Sequence, residues 1–370
     1  MSAPVNEAHP ALTVRGVRTT PVLVPMNYAL GTSAARVTEA PLLLIDLDTE
    51  EGITGRTYLF AYRPSGARAI ALIVEDAASL IKGERIRPAE IAAKLARRFA
   101  LIGVTGTVRM ALSGLDAAMW DALGRAAARP LAAMLGSSPR SIPAYNSCGL
   151  GLMAPAAVAD EAVRLTERGF KAVKLRLGYP TLEEDLAALR AVRERLGPKI
   201  EVMVDYNQAL SVEDAILRAR ALASEGVAWL EEPIRHDDLA GNAKVAAASK
   251  LPLQLGENFN GVEAMAATLD ARACQLVMPD LARIGGVTGW IQAARLAADH
   301  RMPMSSHLFP EMSAQLLAAT PTAHWLEYVD WADAIVQEPL KIVAGMAIVP
   351  DRPGAGLEWD MAAVQRHRMK

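Results

Sequence analysis

Residues 172–206, AVKLRLGYPTLEEDLAALRAVRERLGPKIEVMVDY, contain the pattern that decides the fold. An apolar run at 172–177 is followed by an amphipathic helical stretch, and a second apolar run at 201–206 has a polar residue near its end. The same unit recurs from about residue 142 onward, with strand-like runs at 142–147, 172–177, 201–206, 228–231, 253–257, 275–280, 302–307 and 323–327.

The polar residues that end these runs recur with a nearly constant period. Separated by 26, 26, 23, 27 and 20 positions, they are Asp205, Glu231, Glu257, Asp280, His307 and Glu327. A period in the mid-twenties fits one strand, one helix and a return loop, and eight such strands fill a (β/α)8-type barrel. A doubly wound sheet is the alternative, but it needs a switch point and usually has fewer units. The repeat therefore predicts an α/β barrel.

The first third of the chain has a different, α+β pattern. Strands are predicted at 23–24, 42–48 and 57–60, with the turn Glu50-Glu51-Gly52 between the last two, and helices near 66–82, 88–99 and 107–127. Residues 26–39, MNYALGTSAARVTE, are small and polar and have no strand or helix periodicity. We predict that they form a long mobile loop, because loops of this length inside a compact domain are often lids over a site.

The composition narrows the class of protein. The 370 residues include 39 Lys and Arg against 41 Asp and Glu, so there is no basic surplus for binding nucleic acid. The two cysteines, Cys148 and Cys274, form no CxxC pattern, which is typical of a reducing compartment. No apolar run is long enough to cross a membrane, and the N-terminal residues do not resemble a secretory signal. These features predict a cytoplasmic enzyme without nucleic-acid or membrane partners.

Three carboxylates end neighbouring strands of the predicted barrel. Asp205, Glu231 and Glu257 would converge at the C-terminal rim, which is the face where barrel enzymes carry their sites. Any one of them could be a helix cap or an ion-pair partner, but converging carboxylates repel one another unless a cation holds them. An oxygen-only triad suits Mg²⁺, with Mn²⁺ as a substitute, and disfavours zinc.

Two cations and a histidine complete the predicted rim. Lys174 and Arg176 are two positions apart, so they face the same side of a strand and need anionic partners, either in a site or in a structural salt bridge. Asp280 and His307 end adjacent strands, where the carboxylate can orient the imidazole as a general base. Glu327 can offer a proton if burial raises its pKa.

Several longer stretches are similar to one family. The chain resembles the mandelate racemase group of the enolase superfamily along essentially its whole length, in GFKAVKLRLGYP, VDYN, WLEEP, GEN, MPD, RIGGVTGW, PMSSHLF and AATPTAHWLE. The resemblance implies an N-terminal capping domain (1–140) with its lid, a modified TIM barrel, (β/α)7β (141–334), and a C-terminal segment (335–370) that packs back on the cap. It also implies a homo-oligomer, commonly an octamer.

The resemblance also implies roles for individual residues. The three rim carboxylates would bind Mg²⁺, and His307 with Asp280 would be the base. Lys174 would contact the substrate carboxylate and Glu327 would donate a hydrogen bond to it. Further candidate substrate contacts are Ser147 and Asn207 in matching segments and Asn27 and Arg36 in the predicted lid. The lid also carries Thr32 and Ser33, and this polarity suggests a polar or anionic substrate.

Arg176 departs from the family pattern, because racemases of this group have a second lysine base there. Arginine stays protonated and is a poor proton acceptor. With His307 as the single base, we expect α-proton abstraction from a 2-hydroxycarboxylate, a metal-stabilised enediolate, and then β-elimination of water, as in an acid-sugar dehydratase. The alternative is a 2-hydroxyacid racemase or epimerase. Interpretations from other classes are a Schiff-base aldolase that uses Lys174 and a metal-binding protein without turnover.

Overall fold

The computed structural model describes residues 10–32 and 36–370. The N-terminal part is a three-stranded antiparallel sheet of β1 (Val14–Gly31), β2 (Arg36–Thr49) and β3 (Thr54–Phe60). It is followed by α1 (Pro64–Ile81), α2 (Pro88–Arg98), α3 (Gly106–Ala126) and the short α4 (Leu131–Met134). The three long helices are those expected from the apolar periodicity of the sequence.

Helix α3 lies against strand β3 at a position where only glycine fits. A Cβ added to Gly55 would lie 2.0 Å from the backbone oxygen of Ala118 and 2.8 Å from the backbone nitrogen of Ala122. Both contacts are closer than van der Waals packing allows. The buried face of α3 therefore packs directly on the sheet, and this contact forms the core of the cap.

The prediction of an irregular loop over 26–39 is wrong. Most of this segment belongs to the ends of β1 and β2, where Leu30 pairs with Val37 and Gly31 pairs with Arg36. An irregularity in the register between Pro25 and Leu30 interrupts the pairing, which accounts for the absence of a regular period in the sequence. Ser33 lies outside the described residues.

The second part is a parallel barrel. Its strands and the helices between them are β4 (Ser141–Asn146), α5 (Pro155–Thr166), β5 (Ala172–Arg176), α6 (Leu182–Leu196), β6 (Glu201–Asp205), α7 (Val212–Leu222), β7 (Leu230–Glu231), α8 (Leu239–Ala248), β8 (Leu253–Leu255), α9 (Val262–Asp270), β9 (Leu276–Val277), α10 (Leu281–Ile284), α11 (Gly286–Asp299), α12 (Pro310–Ala318) and β10 (Leu326–Tyr328). The predicted strand at 302–307 is reduced to single bridges at Met304 and His307.

The barrel closes because the last strand pairs with the first. Strand β10 lies parallel to β4, with Leu326 opposite Ala144, and the chain then leaves the barrel without a further long helix. This arrangement confirms the predicted modified (β/α)7β barrel with an N-terminal cap.

The chain after the barrel contacts both parts. Strand β12 (Met346–Ile348) pairs with β11 (Lys341–Val343) and with β4, and α13 (Met361–His367) lies near β1. Trp359 donates its indole N–H to Asp46 at 2.9 Å, and the Met369 amide donates to the Pro21 carbonyl at 2.9 Å. The C-terminal segment therefore packs on the cap, as the resemblance implies.

Alternation along the strands separates an apolar layer inside the barrel from a polar layer above it. A buried cluster contains Tyr145, Ala172, Met203, Trp229 and Leu276. Four of them lie two positions before a polar residue, and side chains two apart along a strand share a face. These polar residues, which therefore stand over an apolar layer, are Ser147, Lys174, Asp205 and Glu231. Among the described residues, no helix has the length and apolar character needed to span a membrane.

Candidate active site

Three carboxylates converge at the C-terminal rim of the barrel. Asp205 and Glu231 are the last residues of β6 and β7, and Glu257 follows β8 by two positions. One oxygen from each lies within 4.8 Å of the others. Asp205 and Glu231 are buried, whereas the Glu257 side chain is 16% exposed. Hard oxygen donors in this arrangement fit Mg²⁺, which also keeps coordination positions for water or substrate.

Lys174 lies among the carboxylates and is fully buried. Its Nζ is 2.5 Å from Glu231 Oε1, 2.9 Å from Glu327 Oε1 and 3.4 Å from Asp205 Oδ2. Burial alone would lower the pKa of Lys174, but the adjacent carboxylates, Glu231 first, raise it well above its ordinary value. Lys174 is therefore a fixed cation and not a neutral amine, which argues against the Schiff-base interpretation.

The carboxyl of Glu327 lies beside Lys174 and His307. Burial acts to raise its pKa, but Lys174 and then His307 outweigh burial and lower the pKa to about 2. Its second oxygen, Oε2, accepts the backbone N–H of Leu308 at 2.9 Å. In this charge arrangement Glu327 is ionised. The condition set for proton donation, a pKa raised by burial, is not met in this charge arrangement, and donation by Glu327 to a bound substrate stays a prediction.

Asp280 and His307 form a buried pair. His307 Nδ1 lies 2.7 Å from Asp280 Oδ2, and the other oxygen of Asp280 accepts the backbone N–H groups of Ala282 and Arg283 at 2.7 and 3.2 Å. Both carboxylate oxygens are thus engaged. The imidazole Nε2 faces the metal cluster, at 3.4 Å from Glu257 Oε2.

The surrounding carboxylates set the proton affinity of His307. Burial would lower its pKa, but Glu257, Glu327 and Asp280 raise it to about 9. A divalent cation bound by Glu257 would offset the largest of these attractions and shift the pKa back toward neutrality. The metal centre and the base are therefore electrostatically coupled.

Arg176 is buried beside Lys174 but has different partners. Its Nη1 donates to the Gly149 carbonyl at 2.6 Å and its Nη2 to Ser147 Oγ at 3.2 Å. No described carboxylate lies within ion-pair distance of it. A carbonyl and a hydroxyl engage its two Nη atoms, whereas its Nε is buried without a hydrogen-bond partner. The anionic partner expected for Arg176, a bound carboxylate, therefore stays a prediction. Ser147, a predicted substrate contact, is one of these partners.

The comparisons with known proteins agree with this geometry. The N-terminal domain of the mandelate racemase / muconate lactonizing enzyme family matches residues 12–136, and the enolase C-terminal domain-like family matches residues 157–363. The chain belongs to the enolase superfamily. The resemblance inferred from the sequence motifs is thereby confirmed, and the binding protein without turnover is excluded, since the relatives are dehydratases, cycloisomerases and racemases.

Two curated relatives of this superfamily member act on sugar acids or their derivatives, according to their names. The L-talarate/galactarate dehydratase of Salmonella typhimurium is 32% identical over 86% of the chain and 81% of its own length. The 3,6-anhydro-alpha-L-galactonate cycloisomerase of Streptomyces coelicolor is 30% identical over 95% of the chain and 99% of its own length.

Two solved structures are similar throughout. An enolase from the alphaproteobacterium bal199 with bound magnesium is 42% identical, has a TM-score of 0.95, and covers 97% of this chain and 100% of its own. A Bradyrhizobium enolase with magnesium and mandelic acid is 38% identical, has a TM-score of 0.93, and covers 98% of this chain and 99% of its own. Magnesium in these neighbours is consistent with the Mg²⁺ dependence predicted from the carboxylate triad.

The other predicted substrate contacts of this enolase-superfamily chain lie in different surroundings. Asn207 is near the metal cluster, where its Nδ2 donates to Asp205 Oδ2 at 3.0 Å. Asn27 donates to Asp330 at 2.9 Å and lines a cavity of about 510 Å³ together with residues of β4, α5 and β10. Arg36 is exposed on the hairpin. The substrate contacts proposed for Asn27 and Arg36 stay predictions.

Sequence reasoning missed a polar network beside the metal cluster. Asn258 Nδ2 donates to Glu232 at 2.7 Å and to the ligand candidate Glu257 at 3.2 Å. Arg283 donates to the Asn258 side-chain oxygen and lies over the ring of Tyr62, a cap residue, at 5.0 Å. The available signal was the second carboxylate of the pair Glu231-Glu232, since a buried carboxylate needs hydrogen-bond donors of its own.

Proposed function

We propose that the protein removes the α-proton of a 2-hydroxycarboxylate in an Mg²⁺-dependent reaction and then eliminates water from the neighbouring carbon, as an acid-sugar dehydratase does. The observation that supports this reaction best is the asymmetry of the two candidate bases. His307 is oriented by Asp280 with Nε2 toward the metal cluster, whereas Arg176 is hydrogen-bonded to the main chain and is a poor proton acceptor.

Each residue of the site has a part in this reaction. Asp205, Glu231 and Glu257 would hold Mg²⁺, which supplies positive charge to the substrate carboxylate as the enediolate forms. Lys174 is a preorganised cation beside the ligand candidate Glu231. It would offset the negative charge that develops on the substrate carboxylate. His307 takes the α-proton through Nε2 and, once protonated, can assist the departing hydroxyl.

Glu327 fits this scheme through its connection to Lys174. Its Oε1 is 2.9 Å from Lys174 Nζ, and its pKa is low because of the two neighbouring cations. A negatively charged substrate that binds Lys174 weakens this attraction and favours protonation of Glu327. A hydrogen bond from Glu327 to the substrate carboxylate, as the family resemblance implies, would then form only in the complex.

The substrate class is proposed as a polar sugar acid. This is supported by the curated relatives, whose names include a talarate/galactarate dehydratase and an arabinonate dehydratase. The exposed cation Arg36 at the hairpin agrees with a second polar or anionic group on the substrate. We also propose a homo-oligomer, which sedimentation of the purified chain can test.

Racemisation of a 2-hydroxyacid is the second candidate, and one observation favours it. The Bradyrhizobium structure, 38% identical, was solved with mandelic acid. Inversion requires proton delivery to the face opposite His307, and Arg176 is the candidate donor there. The two reactions share the first step and differ in the fate of the enediolate.

Separate enantiomers in D₂O distinguish these candidates. A panel of mono- and diacid sugars and aryl 2-hydroxyacids is incubated with enzyme and Mg²⁺, and α-proton loss and 2-keto acid formation are followed by NMR. Dehydration predicts exchange in one configuration and a 2-keto acid product, and Arg176→Lys should introduce or increase inversion. Equal exchange and interconversion of both enantiomers by the wild type would refute the dehydratase. Exchange that persists with EDTA would refute the metal mechanism.

A further inference from the structure

The loop between β4 and α5, residues 147–154, holds Arg176 in place. In addition to the Gly149 and Ser147 contacts of the guanidinium, the backbone N–H of Arg176 donates to the Leu150 carbonyl at 3.0 Å. Arg176 is only 5% exposed. Since these partners all belong to one loop, the position of the guanidinium depends on the position of that loop.

The loop has an unusual backbone conformation. Gly149 and Leu150 have φ angles of 56° and 45°, in the left-handed region that side chains other than glycine rarely adopt. The Leu150 N–H donates to Glu161 Oε1, on α5, at 2.7 Å. A conformation of this cost persists only where surrounding structure holds it.

The end of the cap hairpin, residues 27–31, is packed directly against this loop. A Cβ added to Gly151 would lie 2.5 Å from the backbone oxygen of Gly31 and 2.6 Å from its Cα, so the two backbones are in contact. A Cβ added to Gly149 would lie 2.9 Å from the Cβ of Tyr28.

Asp330 also joins the hairpin to the loop. It accepts from Asn27 Nδ2 at 2.9 Å and from Cys148 Sγ at 3.4 Å, and these two donors belong to the hairpin and to the loop respectively. Asp330 therefore links the hairpin to the loop in addition to the contact between the two glycines.

We propose that the cap hairpin positions Arg176 through this loop, and that Gly151 is the positioning residue through which it acts. The cap thereby sets the placement of a site cation whose guanidinium is hydrogen-bonded to the loop. The kinetic consequence rests on the proposed function, because it requires Arg176 to help hold the substrate.

The two facing glycines provide a matched pair of variants. Gly151→Ala places its new methyl against the backbone of Gly31, which cannot yield without a shift of the hairpin or the loop. Gly31→Ala places its methyl 3.5 Å from the Gly151 Cα, an ordinary van der Waals distance. Neither glycine has a positive φ, so backbone strain does not separate the two changes.

Crystal structures of both variants test the proposal directly. Gly151→Ala should displace the Arg176 guanidinium and break its bond to the Gly149 carbonyl, whereas Gly31→Ala should leave both in place. An undisturbed Arg176 in Gly151→Ala would overturn the proposal. This readout needs no substrate, so a wild type without α-proton exchange would refute the proposed function and not this inference.

Kinetics provide the second test, on a substrate found by the D₂O screen. Gly151→Ala should raise KM by about tenfold and change kcat less, while Gly31→Ala stays within about twofold of wild type. In an Arg176→Met background, Gly151→Ala should have no further effect on KM, since the residue that it displaces is gone. If the KM increases of the two single variants multiply in the double variant, the proposal is overturned. If Gly151→Ala does not fold, Asp330→Ala replaces it in the same cycle, with the same two outcomes.

Discussion

Replacement of Asp280 by asparagine should block the base without removing it. Asp280 Oδ1 accepts two backbone N–H groups, from Ala282 and Arg283, and Oδ2 faces His307 Nδ1 at 2.7 Å. An amide must keep its oxygen toward the two backbone donors, so its NH₂ group turns toward Nδ1. The imidazole then carries its proton on Nε2, and the nitrogen that faces the site can no longer accept one.

The size of the effect can be worked out from the bonds exchanged. The productive tautomer loses a charge-assisted hydrogen bond worth about 1.5–3 kcal/mol and leaves a buried donor unpaired, at a further cost of about 1–3 kcal/mol. Together these amount to about 2.5–6 kcal/mol, which corresponds to a rate lower by about 10²–10⁴. The loss should appear in kcat, because Asp280 is buried behind His307 and does not face the substrate.

The measurement is α-proton exchange in D₂O, followed by ¹H NMR with saturating Mg²⁺. Asp360→Asn is the matched control, because Asp360 caps α13 through the Ala363 N–H at 3.0 Å and asparagine caps a helix equally well. Its rate and the Mg²⁺ affinity of both variants should equal those of wild type. An Asp280→Asn rate within about fivefold of wild type would refute the assignment of His307 as an oriented base.

The remaining predictions concern the metal, the cation, the hairpin and a buried carboxyl. Glu231→Gln should weaken Mg²⁺ binding by about tenfold or more in calorimetry, since it removes a charged oxygen ligand; unchanged affinity would exclude Glu231 as a ligand. Lys174→Met should lower turnover by at least about 10²-fold but leave Mg²⁺ affinity equal or higher, because the competing cation is gone; a parallel loss of both would contradict this. Arg36→Ala should raise KM for a diacid by about tenfold, which corresponds to about 1.4 kcal/mol of lost binding free energy; an unchanged substrate profile would show that the hairpin does not determine substrate specificity. Burial, and then Asp333, raise the pKa of Glu311 to about 7. Because the carboxyl loses its proton at a lower pH in the unfolded state than in the folded state, the stability of the wild type falls as the pH rises from about 4.5 to 7. Glu311→Gln should therefore add up to about 3 kcal/mol to the free energy of urea unfolding at pH 8 and little at pH 4.5, and equal gains at both pH values would contradict the assignment.

The barrel and its polar rim could be predicted because both depend on local periodicity. Side chains alternate along a strand, and a barrel strand ends at the same rim as its neighbours, so the spacing from Asp205 to Glu327 places these residues together. The pairing of Asp280 with His307 could be predicted in the same way, from adjacent strand ends, and the structure brings the two side chains to 2.7 Å.

The strand pairing at 26–39 could not be predicted from the same signal. The irregular register between Pro25 and Leu30 interrupts the alternation of side chains near the end of β1. This segment forms a strand because it pairs with β2 and because its end packs against the backbone of Gly151, which lies about 120 positions later in the sequence. Local propensity carries no information about either contact.

The amino-acid sequence by itself determined the fold class, the carboxylates of the predicted metal site and the family to which the chain belongs, because each depends on residue type at a regular spacing. Only the tertiary structure decided how the site is charged and what each cation contacts. Lys174 and Arg176 share one face of one strand, yet one is surrounded by three carboxylates and the other is bound by a loop. Glu327 is buried, yet the neighbouring cations Lys174 and His307 lower its pKa. The physical reason is that the pKa and the partners of a buried group depend on charges and dipoles within a few ångströms, and folding brings these from strands and loops that are far apart in sequence.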